Sequence, residues 1–258
     1  MKLYPYNKYL IKTSLLIVLS ATLLSCNKKK KQISKKWKNP IIIDSLPIAK
    51  KYFDSKNTSL PYNRLIFIGT KEDSIRIAKK NINPSYEFRS LKKANNKHTE
   101  IEIIPDITQN LSIDIEQFSF PPSLVFLNKN DSEIDKHKSD SILDVWKNRP
   151  RKYVKAYPIF IRNKSKDTIK IEHQDGAIIL IQEAKNKQGN WKPIEKWLYS
   201  FCGNSYGDYH LGKNDILVIK KAHYQGSFKT EIRLKIKTNN KIIYSKPFKG
   251  SVNPEQFN

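Results

Sequence analysis

Between Thr230 and Thr238 the chain reads TEIRLKIKT. Ile232, Leu234 and Ile236 fall on one side of an extended backbone, and Glu231, Arg233, Lys235 and Lys237 fall on the other. A period of two with charges on the alternate positions is incompatible with a buried helix. It fits an antiparallel strand with one face on a core and one in water. A chain carrying several such segments has to bury their apolar faces against one another, and that is what most restricts its fold.

The rest of the C-terminal part repeats the theme. YPIFIRN, TIKIEH, AIILIQEAKN, WKPIEKW, LYSF, DILVIKK and KIIYSKPF are short apolar or alternating runs separated by polar breaks. KSKD, the Asp175-Gly176 pair and KQGN read as turns. Seven or eight strands with turns at short intervals predict a sandwich over residues 151–258. Upstream, RLIFIG, DSIRIAKK, TEIEII and LSIDIEQF also read as strands, while PIAKKYF and SDSILDVWKN read as short helices. Residues 41–150 are therefore expected to form a smaller β-rich α+β region, and the whole chain to be mainly β. Trp191 and Trp197, six positions apart in a strand-like stretch, are expected on one face.

The formal net charge of +24 is unevenly spread. Residues 1–38 hold ten lysines and no acid, residues 39–150 are almost balanced, and residues 151–258 carry 21 basic against 9 acidic side chains. This partition supports boundaries near 40 and 150. It also invites a nucleic-acid reading, since phosphate contacts are sequence-independent.

The leader argues for a different address. Lys2, Lys8 and Lys12 precede an apolar run from Ser14 to Leu24, shorter than the roughly 20 residues a membrane-spanning helix needs. A basic start followed by a short apolar run describes an export signal over residues 1–25. The run ends Leu23-Leu24-Ser25-Cys26, which resembles the lipobox of bacterial lipoproteins. That resemblance implies cleavage between Ser25 and Cys26, a diacylglyceryl group on the Cys26 thiol and an acyl group on its new N-terminus. Chains of about 15 methylenes, at about 0.8 kcal/mol per buried methylene, would anchor the protein far beyond the marginal single-chain case. Residues 26–40 then become a lysine-rich tether, in which the stretch from Cys26 to Lys38, at roughly 3.3 Å per residue, could span about 40 Å. Lys28 to Lys31 would add attraction to anionic headgroups. No cofactor other than this lipid is expected, and an exported, lipid-anchored chain is not expected to meet nucleic acid.

A second resemblance covers about a hundred residues. FIRNKSKDTIKI is similar to the opening of bacterial immunoglobulin-like and fibronectin-III-like modules, and NWKPIEKWLYSFCGNSY is similar to stretches of uncharacterised Bacteroidota lipoproteins. It implies an Ig-like sandwich and a life in the cell envelope, without the Cys…Trp…Cys pattern of true immunoglobulin domains. The residues after Cys26 are Asn27 and lysines, with the first acid at Asp44. This departs from the acidic signals of surface-exported lipoproteins, so the periplasmic face of the outer membrane is the expected location.

P-loop, GxGxxG, HExxH and CxxC patterns are missing from the sequence. His98, His137, His173, His210 and His223 are scattered, although His173 and Asp175 are spaced to share a metal if they are not simply a turn. The most singular stretch is FCGNSYGDYH. Its Gly203, Asn204, Tyr206, Asp208, Tyr209 and His210 form the candidate contact loop, with the glycines expected at positive φ and Cys202 expected to be buried. With Trp191, Trp197 and Tyr199 nearby, this region could stack on sugar rings or a peptide. The expected function is therefore non-enzymatic binding or assembly at the membrane, with an envelope protein or polysaccharide as partner. An envelope hydrolase and a protease-inhibitor-like sandwich are the alternatives.

Overall fold

A computed structural model describes residues 37–53, 63–77, 100–115, 133–238 and 241–257, with 133–139 described by their backbone alone. Residues 1–38 and 39–258 are separate units. The expected export signal over residues 1–25, Cys26, most of the expected lysine tether and His98 lie outside the described residues.

The protein is mainly β. Fifteen described strands run in chain order: β1 (Ile41–Ile43), β2 (Leu65–Thr70), β3 (Ser74–Arg76), β4 (Ile101–Pro105), β5 (Leu111–Asp114), β6 (Tyr153–Asn163), β7 (Ile169–Gln174), β8 (Ala177–Ile178), β9 (Leu180–Lys185), β10 (Trp191–Pro193), β11 (Tyr206–Leu211), β12 (Asp215–Ala222), β13 (Phe228–Thr238), β14 (Lys241–Tyr244) and β15 (Phe248–Val252). A single described α-helix, α1 (Glu133–Asn148), begins six residues before the predicted SDSILDVWKN segment.

One sheet has the order β2-β12-β6-β4, with β5 also on β6. A second has the order β10-β9-β13-β14, with β15 on β13, and a third is β11-β7-β8. The second and third meet where the Thr238 hydroxyl, at the end of β13, accepts from Glu172 N and donates to Lys170 O of β7. Facing side chains close a common core, among them Leu65, Ile103, Ile159, Ile161, Leu217 and Ile219 from the first sheet. Ile171, Leu180, Leu211, Leu234 and Ile236 come from the other two. The layers therefore pack face to face as a sandwich, and the inward set of TEIRLKIKT is the one its alternation predicts.

The expected boundary at residue 150 runs through the middle of this sheet. β2, β4 and β5 precede it, yet β2 pairs with β12 and β4 and β5 pair with β6. Residues 41–150 thus contribute strands to the same sandwich as residues 151–258. The cause is that β12 and β6 are apolar on both faces: Ile216, Val218 and Phe160 are as fully buried as Leu217, Ile219 and Ile161. Such strands need neighbours on both edges and cover on both faces, which the C-terminal residues alone do not supply. On the second face Lys220 Nζ meets Asp44 just after β1 at 2.5 Å, and β1 pairs with β3 in parallel.

PIAKKYF is not helical. Ala49 N donates to Ser112 Oγ, which in turn donates to Pro47 O; Lys155 N donates to Lys51 O, and Phe53 N donates to His223 O. Neighbouring strands take the backbone groups that a helix would have paired internally, so tertiary pairing overrides local preference.

Asp106 fixes the first residues of this unit. Its carboxylate accepts from Thr108 N and Oγ1, Gln109 Nε2 and Asn39 Nδ2, while Gln109 bonds Pro40 O and Ile42 N. Burial raises the Asp106 carboxyl, but these hydrogen bonds outweigh it and hold the group below the ordinary 3.8. A depressed carboxylate stabilises the fold above its unfolded value, and that contribution is lost as pH falls through the folded one. Asp106→Asn is therefore expected to cost about 1–3 kcal/mol at neutral pH and to flatten the stability loss below pH ~4, as followed by denaturant melts across the acid range.

Candidate functional site

Two places gather chemistry: an aromatic surface around residues 197–206 and a polar cluster inside the sandwich.

The surface is built on a hairpin end. Gln174 and Ala177 pair across Asp175-Gly176, whose φ values of 51° and 77° are those of a two-residue turn. The Asp-Gly signal read from the sequence is this turn. His173 is held in it: its Nδ1 accepts from Gly176 N, and its ring lies against Tyr209 at 4.4 Å. Burial lowers the His173 pKa, opposed by Asp208 and Asp175. Among the described residues, no three His, Cys, Asp or Glu side chains gather to hold a metal ion.

Gln174 then organises the next segment. Its Oε1 accepts from Trp197 Nε1 and Ser200 N, and its Nε2 donates to Leu198 O. Ser200 continues the chain of contacts: its Oγ accepts from Cys202 N and Ser205 Oγ, and its carbonyl accepts from Tyr206 OH. With its backbone pinned in this way, the segment turns its large side chains outward. Leu198 is 70% exposed, Phe201 is fully exposed, and Tyr199 and Tyr206 are about half exposed. Single exposed apolar residues are ordinary; here four large ones fall within nine residues of one segment.

The candidate contact loop divides in the fold. Gly203 and Asn204 lie in an exposed 3-10 turn, whereas Tyr206–Leu211 is strand β11, paired along its length with β7. Tyr206 and Asp208 are exposed and His210 is half-buried, all on the outer side of β11, and Asp208 pairs with Lys170 at 3.1 Å. Tyr209 is a core residue whose OH donates to Gly176 O. Cys202 is exposed, contrary to its expected burial, because the turn at Gly203 carries it off the sheet. Neither Gly203 nor Gly207 is at positive φ. Gly207 is needed for space instead: a Cβ there would lie 2.8 Å from the His173 ring.

Trp191 and Trp197 do not share a face, since the strand ends at Pro193 and the chain bends at Ile194 and Glu195. Trp191 belongs to the outer face of the second sheet. There the Arg233 guanidinium lies over Trp191 at 4.4 Å and over Tyr244 at 3.8 Å, with Nε and Nη2 both on Glu183 Oε2. Lys235 takes Glu183 Oε1 at 3.1 Å. Lys237, next along this row, lies 5.8 Å from the Tyr199 ring and links the cationic face to the aromatic segment.

The second place was invisible to motif searching. Lys221 of β12 and Glu195, just after β10, come from opposing sheets and meet at 2.6 Å with both side chains almost wholly enclosed. Lys221 Nζ also donates to Asn63 Oδ1 at 2.9 Å. Glu195 accepts from Gln182 N, Gln182 Nε2 and Tyr224 OH, and Tyr157 OH donates to Gln182 Oε1. Asn63 Nδ2 donates to Ile178 O and Leu180 O. Burial lowers the Lys221 pKa, opposed by the charge of Glu195 and its hydrogen bond. It also raises the Tyr157 hydroxyl far above its ordinary value, with Glu195 adding to the effect. The one sequence signal for this cluster is Lys221 in DILVIKKA, where the apolar run leaves a lysine on the inward side.

No protein-family model matches the chain, and no curated protein or solved structure is significantly similar to it.

Gln174→Ala is expected to release residues 197–200. Three hydrogen bonds at about 1 kcal/mol each are lost, and Trp197 fluorescence should shift to the red while the sandwich stays folded by far-UV circular dichroism.

Proposed function

We propose that this chain is an envelope lipoprotein, held to a membrane through acylated Cys26, whose sandwich binds a partner without catalysing a reaction. The observation that carries the reading is the group Leu198, Tyr199, Phe201 and Tyr206, exposed on a segment that Gln174 and Ser200 hold in place. Rigid exposed aromatics give contact area at little cost in side-chain entropy. The adjoining row of Arg233, Lys235 and Lys237 favours an anionic partner. An acidic envelope polysaccharide satisfies both features, since sugar rings stack on aromatic faces and carboxylates pair with lysine. An envelope protein with an acidic rim is the other partner of this kind. Gly203, Asn204 and Asp208 border the same surface.

The lysine tether and the absence of acids before Asp44 favour the periplasmic face of an outer membrane. An Ig-like connection pattern is part of this proposal and rests on the resemblance of FIRNKSKDTIKI.

Two measurements test the reading. Phe201→Ser with Tyr199→Ser is expected to lower retention on immobilised acidic envelope polysaccharide at least tenfold with no loss of thermal stability. Unchanged retention would remove the surface from consideration. Separately, Cys26→Ala is expected to abolish incorporation of labelled fatty acid and to move the protein from the membrane to the soluble fraction. If it stays in the membrane fraction, the anchor lies elsewhere.

A further inference from the structure

Lys221, Asn63 and Glu195 are all fully buried, at or below 1% exposure. The lysine nitrogen sits between the two others, 2.9 Å from the Asn63 carbonyl oxygen and 2.6 Å from the Glu195 carboxylate. Asn63 and Lys221 extend the ladder in which Leu65 pairs with Ile219, so they project from adjacent strands to the same side. Glu195 reaches them from the opposing sheet. An amine, a carboxamide and a carboxylate thus meet in a space closed to water, the carboxamide and the carboxylate each oriented by further hydrogen bonds.

We propose that Lys221 and Asn63 join in an intramolecular isopeptide bond, with Glu195 as the proton carrier. The atoms balance without an oxidant or a co-reactant. Glu195 takes one proton from the Lys221 ammonium, and the neutral amine attacks Asn63 Cγ to form the new C–N bond. Glu195 then delivers its proton to Asn63 Nδ2 and accepts the second amine proton. The Cγ–Nδ2 bond breaks and ammonia leaves. The product is a secondary amide between the two side chains beside a neutral Glu195 carboxylic acid.

Three features favour the reaction over a permanent ion pair. Burial disfavours the charged lysine, which makes the first proton transfer to a carboxylate at 2.6 Å easier than in water. Holding the reactants in contact replaces an encounter in solution, and such arrangements can raise the effective concentration to about 10⁵ M or more. The charges of a desolvated pair, which are costly to keep, are also exchanged for neutral groups. The Asn63 amide nitrogen is tethered to Ile178 O and Leu180 O, which holds the carboxamide in place with its oxygen 2.9 Å from the amine. The bond would tie positions 158 residues apart. In a chain whose described cysteine is exposed and alone, it would be a covalent staple that needs no disulfide.

This inference rests on the buried cluster and is independent of the binding surface. The test is mass spectrometry of the purified full-length chain beside Lys221→Met and Glu195→Gln made in the same host, so that leader processing and acylation cancel. After allowance for each substitution, the wild-type chain is expected to be lighter than both variants by one ammonia. Proteolysis should yield a branched peptide joining Lys221 to Asn63. Equal masses, or a linear Asn63 peptide from the wild-type chain, would overturn the proposal. So would an ammonia loss that persists in Lys221→Met, since it would arise elsewhere. The wild-type peptide map decides the matter even if either variant fails to fold.

Discussion

A lysine ammonium enclosed in an apolar core has to be matched by a carboxylate and by enough hydrogen bonds to replace its water. Lys221 obtains both, and the way it does so ties the sandwich together. Glu195 comes from the sheet opposite, Asn63 from the lead-in to β2, and Gln182, Tyr157 and Tyr224 close the remaining positions. Removing any one of the three central groups would leave another buried and unmatched. The cluster therefore fixes the depth at which the two layers meet, with an exactness that apolar side chains alone do not impose.

The same strand carries Lys220 to its other face, where Asp44 and the carbonyl of Ser112 receive it. Adjacent lysines on β12 thus reach in opposite directions, one across the sandwich and one toward the segment after β1. This pairing explains how residues before 150 become part of the C-terminal sandwich. It also explains why charge balance was a poor guide to the boundary: a near-neutral and a basic stretch can share one core when their strands alternate in a sheet.

Legibility differed from element to element. TEIRLKIKT, YPIFIRN, TIKIEH and DILVIKK declared themselves as strands, because an alternating or wholly apolar run of that length has few other ways to be buried. Asp175-Gly176 declared its turn, because both positions need left-handed backbone. PIAKKYF failed because Ser112, Lys155 and His223 offer its backbone partners that lie far away in the chain. FCGNSYGDYH read as a loop because its glycines and polar residues mask the inward set Gly207, Tyr209 and Leu211, which pairs with β7. Cys202 was expected inside on average behaviour for its type, whereas a local turn places it outside.

By itself the sequence determined the mainly β class, the inward faces of the long strands and the apolar, basic character of residues 1–38, since each depends on periodicity or composition within a few residues. Only the tertiary structure decided which strands are neighbours, that Leu198, Tyr199 and Phe201 stand out from a segment pinned by Gln174, and that Lys221, Asn63 and Glu195 share one enclosed space. The last two depend on contacts between residues 23 to 158 positions apart. Local preference carries no record of such distances; they are set when the sheets close and every buried polar group has to find its partner.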